Sequence, residues 1–120
     1  MITAIIADDA KLMRDRCIQV CRNTRVVEVI GEAETGQEAY DLVHKLKPEL
    51  LLTDVQMLQM TGLEVARKLA AEGSETKIIL VTSMAQKGSG GDEFLRLIKP
   101  FHALQMQALL WQLFGERARA

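Results

Sequence analysis

Three short stretches of the chain, ITAIIA at 2–7, LLLTD at 50–54 and KIILVT at 77–82, are apolar at nearly every position. A strand with one face in water alternates apolar and polar side chains, so a run without alternation needs apolar surroundings on both faces. Between these runs lie segments with helical spacing. Leu12, Met13, Cys17, Val20 and Cys21 make one stripe. Thr35-Gly36-Gln37-Glu38 has the form of a capping box and opens a helix whose Ala39, Leu42, Val43 and Leu46 share a face, with Pro48 closing it. Val26 to Ala33 reads as a second strand, Leu63 to Ala71 as a third helix and Phe94 to Ile98 as a fifth strand; Pro100 precedes a last helix running toward Glu116. Strand and helix in regular alternation predict an α/β fold, a doubly wound parallel sheet with helices on both faces.

A length of 120 residues with 48% hydrophobic content suits one core, so residues 1–120 are expected to form one domain. Fifteen basic residues against sixteen acidic ones leave a net charge of −1, which gives no whole-surface attraction to nucleic acid or to an anionic membrane. The N-terminal residues lack the pattern of a secretory signal, and no stretch is long and apolar enough to span a bilayer, so a cytoplasmic protein is expected. Cys17 and Cys21 stand four apart on one helical face and read as small buried hydrophobes. His44 and His102 are far from any further metal-ligating group and read as surface residues.

The polar residues that end the strands carry the functional information. Asp8 and Asp9 follow the first strand, Asp54 ends the third, Thr82 the fourth, and Lys99 follows the fifth. Each alone is an ordinary cap, turn or surface ion-pair residue. In an open parallel sheet, however, the carboxyl ends of the strands border one crevice, so all five are expected to converge there. Adjacent carboxylates raise each other's pKa and repel, so Asp8 and Asp9 call for a cation.

ADD at 7–9, LLTDVQMLQMTGLEV at 51–65, VTS at 81–83 and IKPF at 98–101 give the chain a resemblance, over essentially its whole length, to the receiver domain of bacterial two-component response regulators. The resemblance implies a flavodoxin-like strand order 2-1-3-4-5. It implies that Asp54 is the phosphoacceptor, phosphorylated by a sensor histidine kinase or a histidine phosphotransfer protein, and that Asp8, Asp9, Asp54 and the backbone carbonyl of Gln56 bind Mg²⁺. Thr82 and Lys99 would contact the phosphoryl group, with Ser83 in reserve for the hydroxyl role. Such a domain is a signalling phosphoacceptor rather than an enzyme acting on outside substrates, and this one is expected to bind neither nucleic acid nor membrane. A different reading is a receiver-like module that binds partners without switching by phosphate. It draws on Arg96, which stands where the family usually has an aromatic residue, and on the short interval from Thr82 to Lys99. Leu58 is a further departure, at a position where proline is common.

Within that interval SMAQKGSGGD at 83–92 has few apolar residues and three glycines, each costing a helix about 1 kcal/mol relative to Ala. The fourth helix of the family is therefore expected to be short or missing, the segment being a mobile loop. On the last helix Ala103, Met106, Leu110, Leu113 and Phe114 form the stripe expected to face the sheet. Leu104, Ala108 and Trp111 form a second stripe. Two readings of it stand: a surface for an output partner or a second copy of the chain, or side chains folded over the space left by a short fourth helix.

Overall fold

The computed structural model describes residues 1–83 and 90–119. Five strands, β1 (Ile2–Ala7), β2 (Val27–Ala33), β3 (Leu50–Asp54), β4 (Lys77–Thr82) and β5 (Leu95–Ile98), alternate with helices α1 (Lys11–Asn23), α2 (Gly36–Leu46) and α3 (Gly62–Ala71). A last helix α4 (Ala103–Phe114) runs into a 3-10 turn at Gly115–Ala118. The strands pair in parallel in the order β2-β1-β3-β4-β5. The fold is the expected one. The crossover from β4 to β5 passes through residues 84–89, and the expectation of a short or missing helix there falls outside the described residues.

Successive side chains of the inner strands enter two different cores, which explains the unbroken apolar runs. Ala4, Ile6, Leu50, Leu52, Ile79 and Val81 pack with Cys17, Ile18 and Cys21 of α1 and with Met106 and Leu110 of α4. Ile5, Ala7, Leu51 and Leu80 pack on the other side with Ala39 and Val43 of α2 and Val65, Ala66 and Leu69 of α3. Both cysteines are buried, as read from the sequence, and burial pushes their thiols up to about 11 for Cys17 and about 12 for Cys21, away from reactivity.

Local chemistry sets the helix ends. Thr35 Oγ1 accepts the Glu38 amide at 3.1 Å, one half of the box expected there. The full reciprocal pair occurs at α3, between Thr61 and Glu64. At α4 the Gln105 side chain accepts the His102 amide at 3.0 Å. No helix among the described residues is long and apolar enough to cross a membrane.

The pairing of β1 with β2 contains one irregularity. Ala4 lies opposite Val29 but Ile5 lies opposite Gly31, so Ile30 is an extra residue in β2.

Candidate functional site

The order of the sheet turns back between β1 and β3, and in such sheets the carboxyl ends at that point border a crevice. The side chain of Asp8 leaves the end of β1 there and that of Asp54 the end of β3. Both residues are buried, whereas Asp9 is exposed. One carboxylate oxygen from each of Asp8, Asp9 and Asp54 lies within 4.8 Å of the others. Lys99, one residue beyond β5, reaches across so that its Nζ donates to Asp8 Oδ2 at 3.3 Å and to Asp54 Oδ2 at 3.2 Å.

Backbone groups hold these carboxylates. The Ala10 amide donates to Asp8 Oδ1 at 2.9 Å, and the Gln56 amide to Asp54 Oδ1 at 3.3 Å. The Asp8 amide donates to the Ala33 carbonyl at 3.0 Å, tying the end of β1 to the end of β2. α3 starts directly against β3: the Gly62 amide donates to the Val55 carbonyl at 2.8 Å, and a Cβ on Gly62 would lie 2.0 Å from the Asp54 carbonyl oxygen.

Burial pushes the Asp54 carboxyl above its usual range; the Lys99 ammonium opposes that rise and the Asp8 carboxylate adds to it. For Lys99 burial is the largest single influence and works to lower its pKa, yet Asp54 and Asp8 together outweigh it and hold the ammonium above the ordinary lysine value. Of the three carboxylates, those of Asp8 and Asp54 share one ammonium, and that of Asp9 pairs with no cation among the described residues. Their hard oxygen donors fit a hard divalent cation such as Mg²⁺.

Thr82 ends β4 beside this group, and the Lys99 amide donates to its carbonyl at 2.8 Å. Its hydroxyl oxygen is buried without a hydrogen-bond partner among the described residues. Arg96 in β5 is mostly buried; its Nη2 is 3.7 Å from Asp92 Oδ1 and its Nε has no partner among the described residues. Ser83 is half-buried next to Thr82, Gln56 is exposed beyond Asp54, and Leu58 is exposed in the same loop.

The site residues read from the sequence at the strand ends are therefore brought together. The second stripe of α4 lies elsewhere: Leu104 is 73% exposed, Trp111 is 47% exposed, and Ala108 is exposed. Of the stripe expected to face the sheet, Met106 and Leu110 are buried, and Ala103, Leu113 and Phe114 are half-buried.

Arg14 was not singled out as a site residue from the sequence. It is buried on α1 and its Nη1 donates to the Asp8 carbonyl at 2.8 Å. A signal was present, because Arg14 stands four residues before Ile18 and seven before Cys21, on the helix's buried stripe.

A family model for the response regulator receiver domain matches residues 4–109. The chemotaxis protein CheY of Listeria monocytogenes is 32% identical over 110 residues, which cover 86% of this chain and 90% of that protein. The transcriptional regulatory protein BtsR of Salmonella typhi is 31% identical over 122 residues, 99% of this chain and 51% of BtsR. Among solved structures, the signal receiver domain of NarL from Mycobacterium tuberculosis superposes with a TM-score of 0.83 at 23% identity, covering 96% of this chain and 98% of that one. At that identity the superposition shows the fold.

Proposed function

The chain belongs to the response regulator receiver domain family, and from that premise we propose that Asp54 accepts a phosphoryl group from a sensor histidine kinase or a histidine phosphotransfer protein in a Mg²⁺-dependent reaction. An Asp54 oxygen forms the new O–P bond as the P–N bond of the phosphohistidine breaks, and the bonding pair leaves with the imidazole nitrogen. The observation that carries this reading is the shared ammonium: Lys99 Nζ holds both Asp8 and Asp54 at 3.3 and 3.2 Å, and the backbone of Lys99 is bonded to Thr82, whose buried hydroxyl has no partner among the described residues. The carboxylates of Asp8, Asp9 and Asp54, with the Gln56 carbonyl, would hold Mg²⁺, which when bound supplies positive charge against the anionic donor. Lys99 then donates to one phosphoryl oxygen, and Thr82 donates its hydroxyl to another, with Ser83 the reserve donor. Drawing Thr82 toward the phosphoryl group moves the start of the following crossover, which is how the site reaches the surface.

Beryllofluoride with Mg²⁺ mimics the phosphorylated state. Addition to the wild-type protein should shift amide resonances of Asp54, Thr82 and Lys99, and Asp54→Asn should abolish the shifts. A full response from Asp54→Asn would show the reading to be wrong.

The exposed stripe of Leu104, Ala108 and Trp111 is the proposed contact for an output partner or a second copy of the chain. Trp111→Ala should weaken that association while altering stability by no more than about 0.5 kcal/mol. A clear fall in melting temperature with association untouched would make Trp111 a structural residue instead.

One observation favours a second reading, a module that binds partners without phosphate switching: the mostly buried guanidinium of Arg96 occupies the position where the family usually has a ring. It predicts partner binding that Asp54→Asn leaves unchanged.

A further inference from the structure

Arg14 lies on a helical stripe otherwise made of Cys17, Ile18 and Cys21, and its side chain is only 7% exposed. Burying a guanidinium is costly unless its donors are used. Here they are spent on the mouth of the acidic site. Nη1 donates to the Asp8 carbonyl at 2.8 Å, Nε donates to Glu32 Oε1 at 3.0 Å, and Nη2 stands 3.5 Å from Glu34 Oε1. We propose that Arg14, held by Glu32 and Glu34, is a positioning residue that fixes the Asp8–Asp9 peptide and thereby sets the divalent-cation affinity of the site. The proposal rests on the receiver reading above.

The carbonyl that Arg14 grips belongs to the peptide joining Asp8 to Asp9. Fixing its plane fixes the direction in which the exposed Asp9 side chain leaves the backbone. With the Asp8 amide on the Ala33 carbonyl and the Ala10 amide on Asp8 Oδ1, the turn from β1 into α1 is tied on both sides of that peptide. A bare guanidinium so close to a cation site would repel the cation. Glu32 and Glu34 answer that objection, because two carboxylates face the one guanidinium and it adds no net positive charge.

The bulge in β2 is what makes the clamp available. Side chains alternate faces along a strand, so Ile30 taken into regular pairing would invert every face beyond it, whereas the bulge absorbs it and leaves Gly31, Glu32 and Ala33 in step with Ile5, Ile6 and Ala7. Before Ile30, Val27 and Val29 pack in the core on the α1 side. After it, Ala33 packs in the core on the α2 side, and Glu32, opposite Ile6, is turned to the α1 side. In an unbroken β2, Glu32 would face α2 and Arg14 would lose its partner.

The test uses the full chain without any phosphodonor. Mg²⁺ is titrated while the amide resonances of Asp9, Ala10 and Gln56 are followed, and melting temperatures are taken in EDTA. Arg14→Met and Arg14→Lys should each weaken Mg²⁺ binding about tenfold and shift the metal-free Asp9 resonance, since methionine has no donor and the single nitrogen of lysine cannot span acceptors held by three separate guanidinium nitrogens. Glu32→Gln should weaken binding about threefold in the wild-type background, because Arg14 Nε loses its charged acceptor and the guanidinium is held less firmly on the Asp8 carbonyl. In the Arg14→Met background it should have no further effect, an outcome that general loosening of the fold would not produce. If Arg14→Met fails to fold, Arg14→Lys and Glu32→Gln carry the test. Mg²⁺ affinity within twofold of wild type in the folded variants overturns the proposal alone. Wild-type protein that binds no Mg²⁺ overturns the receiver reading and the proposal with it.

Discussion

The two ends of the same sheet are built from similar residues and differ in how their charges are disposed. At the amino ends of the strands a crevice of about 590 Å³ opens, lined among others by His44, Glu72, Lys77, Phe114 and Arg117. Of its acids, Glu49 pairs with Arg117, Glu72 accepts from Tyr40 and lies 2.9 Å from His44 Nε2, and Glu75 is exposed to solvent. At the carboxyl ends three carboxylates cluster with one ammonium that pairs with two of them, and a buried hydroxyl lacks a partner among the described residues. The amino end is roomy and electrically settled. The carboxyl end is tight and waiting for charge. A hollow alone therefore says little about chemistry, whereas unbalanced charge and an unused donor on strand ends say a good deal.

The strongest way to break this contrast is through two glycines. A Cβ on Gly62 would lie 2.0 Å from the Asp54 carbonyl oxygen, whereas one on Gly73, which lines the amino-end crevice, meets nothing within 4 Å. Gly62→Ala should cost about 3 kcal/mol or more and abolish the beryllofluoride response. Gly73→Ala should cost about 1 kcal/mol, through its φ of +74° alone, and leave the response intact. Equal losses in urea unfolding would erase the distinction between the ends.

A middle-sized effect sharpens it. Thr82→Val removes a buried hydroxyl that has no partner among the described residues and should stabilise the metal-free protein by about 1 kcal/mol while weakening beryllofluoride binding about tenfold. Glu72→Gln, at the settled end, should move stability by no more than about 0.5 kcal/mol and leave anion binding alone. Binding of the anion by Thr82→Val at wild-type strength would remove the hydroxyl from the site.

The smallest effect is a difference of sign in acid. Burial raises the folded pKa of Asp54 above its unfolded value of about 3.9, so its ionisation costs stability at neutral pH. That cost is relieved as pH falls through the folded pKa toward the unfolded one. Arg117, with a bond from the Thr3 amide, lowers the folded pKa of Glu49, so Glu49 contributes stability above its unfolded pKa of about 4.3 and loses it as pH falls through the folded value. In metal-free urea melts from pH 7 to 3, Asp54→Asn should start more stable than wild type and lose stability more steeply. Glu49→Gln should lose it less steeply. Parallel pH profiles for the two variants would count against the contrast.

Much of this was legible in the sequence for a topological reason. In a parallel sheet the polar residue that ends each apolar run lands at the same pole, so Asp8, Asp54, Thr82 and Lys99 converge without any knowledge of side-chain packing. The bounds of β1, β3 and β4 coincide with those read from the runs themselves. At the sheet's edges the reading slipped by one residue. Val26 and Phe94, read as strand, lie just outside β2 and β5; the Val26 carbonyl accepts the Ile2 amide at 2.8 Å, and Phe94 packs into the α2 and α3 core. Arg14 was read past because a charged residue on a helix is ordinarily solvated, and only its partners on a different strand reveal that it is buried. The phase of β2 was hidden for a related reason: VEVIGEA contains an apolar pair and a glycine that fit either face, and only pairing with β1 decides which.

That phase has a consequence for how this strand tolerates change in length. Losing Ile30 would leave Val29 opposite Ala4 and Gly31 opposite Ile5, so Glu32 would stay opposite Ile6 and keep its bond to Arg14. Losing Gly31 as well would bring Glu32 opposite Ile5 and turn it to the α2 side. The bulge is one residue of slack in an edge strand, so a single shortening is absorbed before it reaches the site and a second is not.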